Sequence, residues 1–232
     1  MNQKQCHLFG CEIDALTMEE TLQAIERIIR QRTPKQHSVV NVAKVVNMQK
    51  DPELLKIINH CDMVNADGMP IVWASRIVGR PLPCRVTGID IFQSLVKLSN
   101  EKGYRPFFFG ARESVVRKVV QIFTQKYPNL KLAGFRNGYF SQSEEPEIAK
   151  MIRDSNADIL FVGFSSPMKE KFLNRWMDTM EVPFSMGVGG SFDVVAGVTK
   201  RAPLWMQGLG LEWFYRFLQE PSRMWKRYAK TN

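Results

Sequence analysis

The sequence of 232 residues is poor in the features that staple, ligate or anchor a chain. Its four cysteines, Cys6, Cys11, Cys61 and Cys84, form no Cys-x-x-Cys pair, and its three histidines, His7, His37 and His60, are scattered. That spacing excludes a zinc-finger type site and gives no reason to expect a metal. Free thiols fit a reducing cytoplasm. No window approaches the roughly 20 uninterrupted apolar residues a spanning helix needs. The opening "MNQKQCHLFGCEID" lacks the charged-then-apolar pattern of a signal peptide. Any membrane role is therefore expected to be peripheral. There is no Gly-x-Gly-x-x-Gly fingerprint, no Gly-Lys-Ser/Thr of a Walker loop and no Asp-x-Asp of a metal-dependent nucleotide-sugar site. Internal repeats and low-complexity linkers are also missing.

What is present is an ordinary soluble composition with a bias of sign. Apolar residues make up 44% and charged residues 24%, enough to build one large α/β domain or two small ones. Lys and Arg number 32 against 23 acids, a net charge of +9. This favours an anionic partner, phosphate or an acidic membrane face, or marks a solvated basic surface.

The chain alternates strand and helix patterns. "TMEETLQAIERIIRQR" reads as an amphipathic helix opened by a Thr17–Glu20 capping box. "SVVNV" (38–42) is a short apolar strand. Asp51 and Pro52 open a helix as N-cap and first residue. "CDMVNAD" is a strand ending near Asp67-Gly68, and "IDIFQSLVKLSNEKG" a helix closed by Gly103. Then come "PFFFG" (strand), "ESVVRKVVQIFTQKYP" (helix), "LKLAG" (strand), "EEPEIAKMIRDS" (helix), "ADILFVGF" (strand), "KEKFLNRWMDTM" (helix) and "FSMGVGG" (strand). This order implies an α/β fold, a mainly parallel sheet with helices on both faces. Ligands of such sheets bind beyond the C-terminal strand ends. Asn41, Asp67-Gly68, Gly110, Gly163 with Ser165-Ser166, and Gly187 to Ser191 should therefore share one rim.

The character changes after about Gly197. From Val198 onward seven basic residues face two acids, five of the nine net charges, and three of the five tryptophans are there. "PLWMQGLGLEWFYRFLQEPSRMWKRY" reads as two helical pieces separated by Pro221. A basic, Trp-bearing amphipathic segment suits the headgroup region of an anionic bilayer; an ordinary terminal helix packing its aromatics on the domain has the same composition. The expected division is an α/β domain over 1–197 and a helical, basic, membrane-associating appendage over 198–232.

Taken singly, the candidate motifs stay open. "GVGGSFDVVAG" fits either an anion-binding turn at a helix N-terminus or a tight structural turn. Asp67 in "NADGMP" fits a general base, an acceptor for a sugar hydroxyl, or a helix N-cap. In "CRVTGIDIF", Arg85 is placed to clamp a phosphate, and Thr87 or Asp90 to cap the next helix. "FSSPMKEKF" sets Ser165, Ser166, Lys169 and Glu170 at a strand end entering a helix, to hold a ligand or simply to start the helix.

Together they are more specific. The ordered segments "ADGMPIVWASRIVGRPLPCRVTGIDIF", "FFFGA", "NGYF", "SSPMKEKF", "MGVGGSFDVVAGVTKRAP" and "LGLEWFYRFLQEPSR" resemble the WecG/TagA/CpsF family of bacterial glycosyltransferases, from about residue 8 to the end. The resemblance implies that family's own α/β glycosyltransferase fold and a C-terminal appendage touching the inner face of the cytoplasmic membrane. It implies an inverting, metal-independent transfer of a sugar from a UDP-sugar to an undecaprenyl-diphosphate-linked sugar. The expected sugar is N-acetylmannosamine or its uronic acid; another UDP-hexose, glucose or galactose for exopolysaccharide, is the alternative. The products would enter teichoic acid, common antigen or exopolysaccharide.

The family's proposed base matches Asp67, and its early-strand Asn matches Asn41. Val39 stands where Thr is usual, and Lys169 where Gln is usual, beside Glu170; both departures bear on sugar choice. The glycine turn, with Gly189, Gly190, Ser191 and Asp193, is expected at the UDP diphosphate. Gly68, Thr87, Gly110 and Ser166 complete the expected donor and acceptor contacts. Without an Asp-x-Asp site, charge on the departing UDP would be met by Arg85, Arg201, Arg216 and Arg223. No cofactor is expected, and a homo-oligomer is compatible with the sequence.

Other readings fit less well. A nicotinamide-dependent oxidoreductase needs a fingerprint at the first strand that "SVVNVAKVV" lacks. A nucleic-acid-binding module needs basic residues spread along a groove rather than gathered in one Trp-rich tail. An inactive scaffold has no need of Asp67 and the glycine turn.

Overall fold

The computed structural model describes residues 5–221 and Trp225. In chain order the elements are β1 (Gln5–Leu8), β2 (Cys11–Asp14), α1 (Met18–Gln31), β3 (Lys35–Val40), α2 (Val42–Lys50), α3 (Pro52–His60), β4 (Met63–Ala66), α4 (Met69–Ile77), α5 (Gly88–Lys102), β5 (Pro106–Gly110), α6 (Glu113–Lys126), β6 (Gly134–Arg136), α7 (Glu145–Asp154), β7 (Ile159–Gly163), α8 (Met168–Met180), β8 (Phe184–Gly187), α9 (Ser191–Val195), α10 (Leu204–Gly208) and α11 (Glu212–Gln219).

Six strands form one parallel sheet in the order β4-β3-β8-β7-β5-β6, and β1 pairs with β2 as a separate antiparallel hairpin. The α/β expectation therefore holds. Its strands are nearly all buried, as a sheet covered on both faces demands. One face carries α1, α5, α6 and α9 around Phe92, Phe108 and Phe161. The other carries two clusters: Ile13, Val40, Leu54 and Ile71 under the hairpin, α3 and α4, and Phe109, Ile152, Leu160 and Phe172 under α7 and α8. The chain leaving β3 turns to the α2 side, and the chain leaving β8 enters α9 on the opposite side. This reversal between neighbouring strands opens a crevice at their C-terminal ends.

Local chemistry explains the elements that periodicity located. Thr17 and Glu20 cap α1 reciprocally, at 3.2 and 2.8 Å. Asp51 caps α3 with Pro52 at its first position, and Gly103 closes α5 in the left-handed conformation. Three expectations shift. The strand at 38–42 ends at Val40, because Asn41 caps α2, a helix the apolar run "VAKVV" disguised as strand. The strand expected at "LKLAG" lies at Gly134–Arg136. In the tail, α11 ends at Gln219, next to Pro221 as expected, but the piece before it is itself broken, at Gly210, φ +67°.

Candidate active site

The register Val40↔Ala66 carries the chain ends of β3 and β4 out side by side, and the Asp67 amide donates to Val40 O at 2.8 Å. Asn41 therefore stands next to Asp67. Its Oδ1 accepts from the Lys44 amide at 3.0 Å, and its side-chain N–H bonds the Asp67 carboxylate. Asp67 caps no helix: the N-cap of α4 is Gly68, which has no side chain to bond. Burial pushes the Asp67 carboxyl above its ordinary range. The negative Glu212 raises it further, while Asn41, Lys44 and Arg85 pull the other way.

Arg85 donates to Glu212 at 2.5 Å and to Gln207 at 2.9 Å, tying the loop before α5 to α10 and α11. Arg201 grips Asp90 with both terminal nitrogens, at 2.5 and 2.8 Å, and its Nε is 3.7 Å from Glu212. Thr87 is the N-cap of α5 and also donates to Asp90 at 2.6 Å. Two of the four expected arginines are thus engaged by the chain's own carboxylates. Arg223 lies outside the described residues. Arg216 follows Glu212 by one helical turn, on the same face of α11. Its guanidinium lies against the glycine turn, 2.8 Å from where a Cβ on Gly190 would be. A side chain at Gly190 would expel it.

The glycine turn is more committed to itself than its sequence suggests. Gly189 donates its amide to Val162 O and Ser191 to Val188 O, and Ser191 Oγ bonds Val188 O at 2.8 Å. Helix α9, which follows, spans five residues. Any anion here would be met chiefly by Arg216. The Asp193 carboxylate lies 4.0 Å from the same Gly190 Cβ position.

A second polar group lies beneath the crevice, between the two apolar clusters that share a face of the sheet. Lys44 Nζ bonds Ser38 Oγ at 2.9 Å and Glu170 Oε1 at 2.7 Å; Lys169 Nζ meets the same oxygen at 2.6 Å. All three charged side chains are buried. The two ammonium groups hold the Glu170 carboxyl well below the usual carboxylate range against the effect of burial. Lys169 lies over Gly187, where a Cβ would come within 2.5 Å of its chain. Ser166, in the loop between β7 and α8, keeps a buried hydroxyl without a hydrogen-bond partner among the described residues, as does Glu170 Oε2. Gly110 has a packing task of its own. A Cβ there would meet the Gly163 backbone at 2.6 Å, so it serves close approach of β5 and β7.

The sequence reading missed Glu212, Gln207, Lys44 and Ser38. Neither Lys44 nor Glu212 sits in a motif, because their partners lie more than a hundred positions away in the chain. Among the described residues no cluster of three His, Cys, Asp or Glu is placed to hold a metal ion.

Comparison with known proteins supplies the family. The model of the glycosyl transferase WecG/TagA/CpsF family matches residues 6–232. The chain belongs to the WecG/TagA/CpsF family. This glycosyl transferase is 37% identical over 190 residues to the N-acetylglucosaminyldiphosphoundecaprenol N-acetyl-beta-D-mannosaminyltransferase of Bacillus subtilis (strain 168), covering 82% of this chain and 73% of the relative. It is 33% identical over 178 residues to the Bacillus spizizenii enzyme of the same name, covering 77% and 68%. The Staphylococcus aureus (strain MW2) enzyme, again of that name, is 29% identical over 231 residues, covering 99% and 89%. The family match therefore runs through the glycine turn and on into the tail that carries Glu212 and Arg216.

Proposed function

We propose that this glycosyltransferase moves N-acetylmannosamine from a UDP-sugar to a GlcNAc-diphosphoundecaprenol acceptor, with inversion at the anomeric carbon and Asp67 as general base. The names of the relatives support the acceptor and the sugar. The observation that carries the mechanism is that the C-terminal strand ends set out both a carboxylate made more basic by burial, Asp67, and the Arg216 guanidinium over the Gly190 turn.

In this reading Asp67 takes the proton of the acceptor hydroxyl as its oxygen bonds to the anomeric carbon. The bond from that carbon to the UDP oxygen breaks on the opposite face, and its electron pair leaves with UDP. Asn41 orients the carboxylate, and burial together with Glu212 makes it a stronger base than a solvated aspartate. Arg216 meets the charge that grows on the diphosphate. Ser166 and Glu170 Oε2, buried with unspent bonding capacity, suit the donor sugar's hydroxyl and amide groups. The tail beyond residue 197 brings Arg216 and Glu212 to the crevice and holds the enzyme at the inner face of the cytoplasmic membrane.

A second donor has one observation in its favour. Lys44 and Lys169 both bring an ammonium group to the floor of the crevice at Glu170, a setting that suits the uronic acid of N-acetylmannosamine. The test is thermal unfolding with each UDP-sugar in turn, since a ligand of the native state raises its stability. Protection by UDP-N-acetylmannosamine, followed by turnover on the lipid-linked acceptor, is expected. Protection by UDP-glucose or UDP-galactose alone would overturn the donor assignment.

A further inference from the structure

The exposed apolar surface extends beyond the tail. Helix α4 turns Ile71 and Val72 inward, yet Trp73, Ile77 and Val78 point outward, Ile77 at 86% exposure. A helix with apolar residues on both sides belongs between two partners. The outward side meets the tail: a Cβ on Gly210 would lie 3.1 Å from the Trp73 ring and 3.2 Å from Met69 Cβ. Leu204, Trp205 and Leu209 of the adjoining α10 region are exposed as well. Apolar area gathered this way marks an interaction surface.

Charge identifies the occupant. Residues 68–89 contain Arg76, Arg80 and Arg85 and no acid; residues 194–211 contain Lys200 and Arg201 and no acid. Arg85 and Arg201 are drawn inward to Glu212 and Asp90, which leaves Arg76 on α4 itself exposed beside Ile77, and Arg80 and Lys200 exposed in the two acid-free segments. Tryptophan at the edge of an apolar face, rimmed by cations, fits the headgroup layer of an anionic bilayer.

We propose that α4 is a lipid-docking element of the catalytic domain itself, entering the headgroup region through Trp73, Ile77 and Val78 beside the tail. Its purpose rests on the reading of a lipid-linked acceptor; its physics does not. Helix α4 begins two residues after Asp67 and has nine residues, about 13 Å at 1.5 Å per residue. Docking its far end would hold the base at a set height above the bilayer, where a lipid-borne diphosphate sugar presents its hydroxyl.

The experiment uses the full chain and acceptor-free vesicles of phosphatidylglycerol or phosphatidylcholine, with co-sedimentation as the readout. Binding to phosphatidylglycerol vesicles is expected to fall about tenfold or more in Ile77→Glu/Val78→Glu, tail intact. Arg76→Glu should lower it by about fivefold or more. Met151→Glu, at an exposed position on α7, should leave it unchanged. Unfolding midpoints equal to wild type establish that the variants fold. Unchanged vesicle binding in the α4 variants overturns the proposal, as does loss of self-association without loss of vesicle binding, which would assign the face to a second copy. Turnover separates the two readings. The α4 variants should keep activity on a water-soluble short-chain acceptor and lose it on the vesicle-embedded one; equal loss on both also overturns the proposal. A wild type inactive on both acceptors would sink the transferase reading and leave the vesicle result standing.

Discussion

Asp67 is a stronger base than its residue type alone indicates. At the level of sequence it is an ordinary carboxylate, ionised at neutral pH, whose position alone would matter. The structure adds burial and the neighbouring charge of Glu212, both of which favour the protonated form. Asp67→Asn is expected to lower kcat by about 10²- to 10⁴-fold with UDP-sugar protection intact; near-normal turnover would remove it from the base role. Glu212→Gln should move the acid limb of the rate profile to lower pH, because one of the charges that raises the Asp67 pKa is gone. An unmoved limb would mean that another group sets it. Arg216→Ala should cost about 10²- to 10³-fold in kcat, with part of the loss recovered by Lys.

Among the elements, α8 and the strand ends decide how the crevice is floored. The Lys44–Glu170–Lys169 group joins α2 to α8 between two apolar clusters. Two buried ammonium groups without their carboxylate are costly, so Glu170→Ala is expected to lose about 3–5 kcal/mol in a urea titration; a loss below about 1 kcal/mol would show that water reaches the group. Gly110→Ala drives a methyl into the Gly163 backbone at a φ of +133°, and should destabilise by at least about 2 kcal/mol. Neither effect has a signature in the motifs, where Gly110 is known only as the end of a strand. Strand ends are legible from sequence; whether a glycine there faces a ligand or a neighbouring strand depends on what packs across it.

For the whole molecule, the reach of the hydrophobic clusters bears on what the tail contributes. Their members run no further than Ala196 among the described residues, although Ala202 and Met206 are buried. A chain cut after residue 197 is therefore expected to fold and to lose turnover with Arg216; full activity would detach the tail from the site. Global stability carries its own pH signature. His37 is buried in β3, bonded to Asn65 of the edge strand β4 at 2.9 Å, and burial lowers its pKa to about 4 from 6.5. The unfolded chain takes up the proton first. This contribution is whole above pH 6.5 and is lost as pH falls toward 4, roughly 3 kcal/mol in all. His37→Gln should flatten that part of the stability curve, and an unaltered slope would exclude His37 as its source.

The sequence by itself determined the alternation of most strands and helices, the capping of α1 and α3, and the basic, Trp-rich character of the tail. These are properties of neighbours within about four residues, where periodicity and capping operate. The tertiary structure decided which charges are spent. Arg85 meets Glu212 across 127 positions, Lys44 meets Glu170 across 126 and Arg201 meets Asp90 across 111. No local pattern encodes such pairs. Packing brings them together, and in doing so leaves Arg216 over the glycine turn, makes Asp67 basic, and joins the outward face of α4 to the tail.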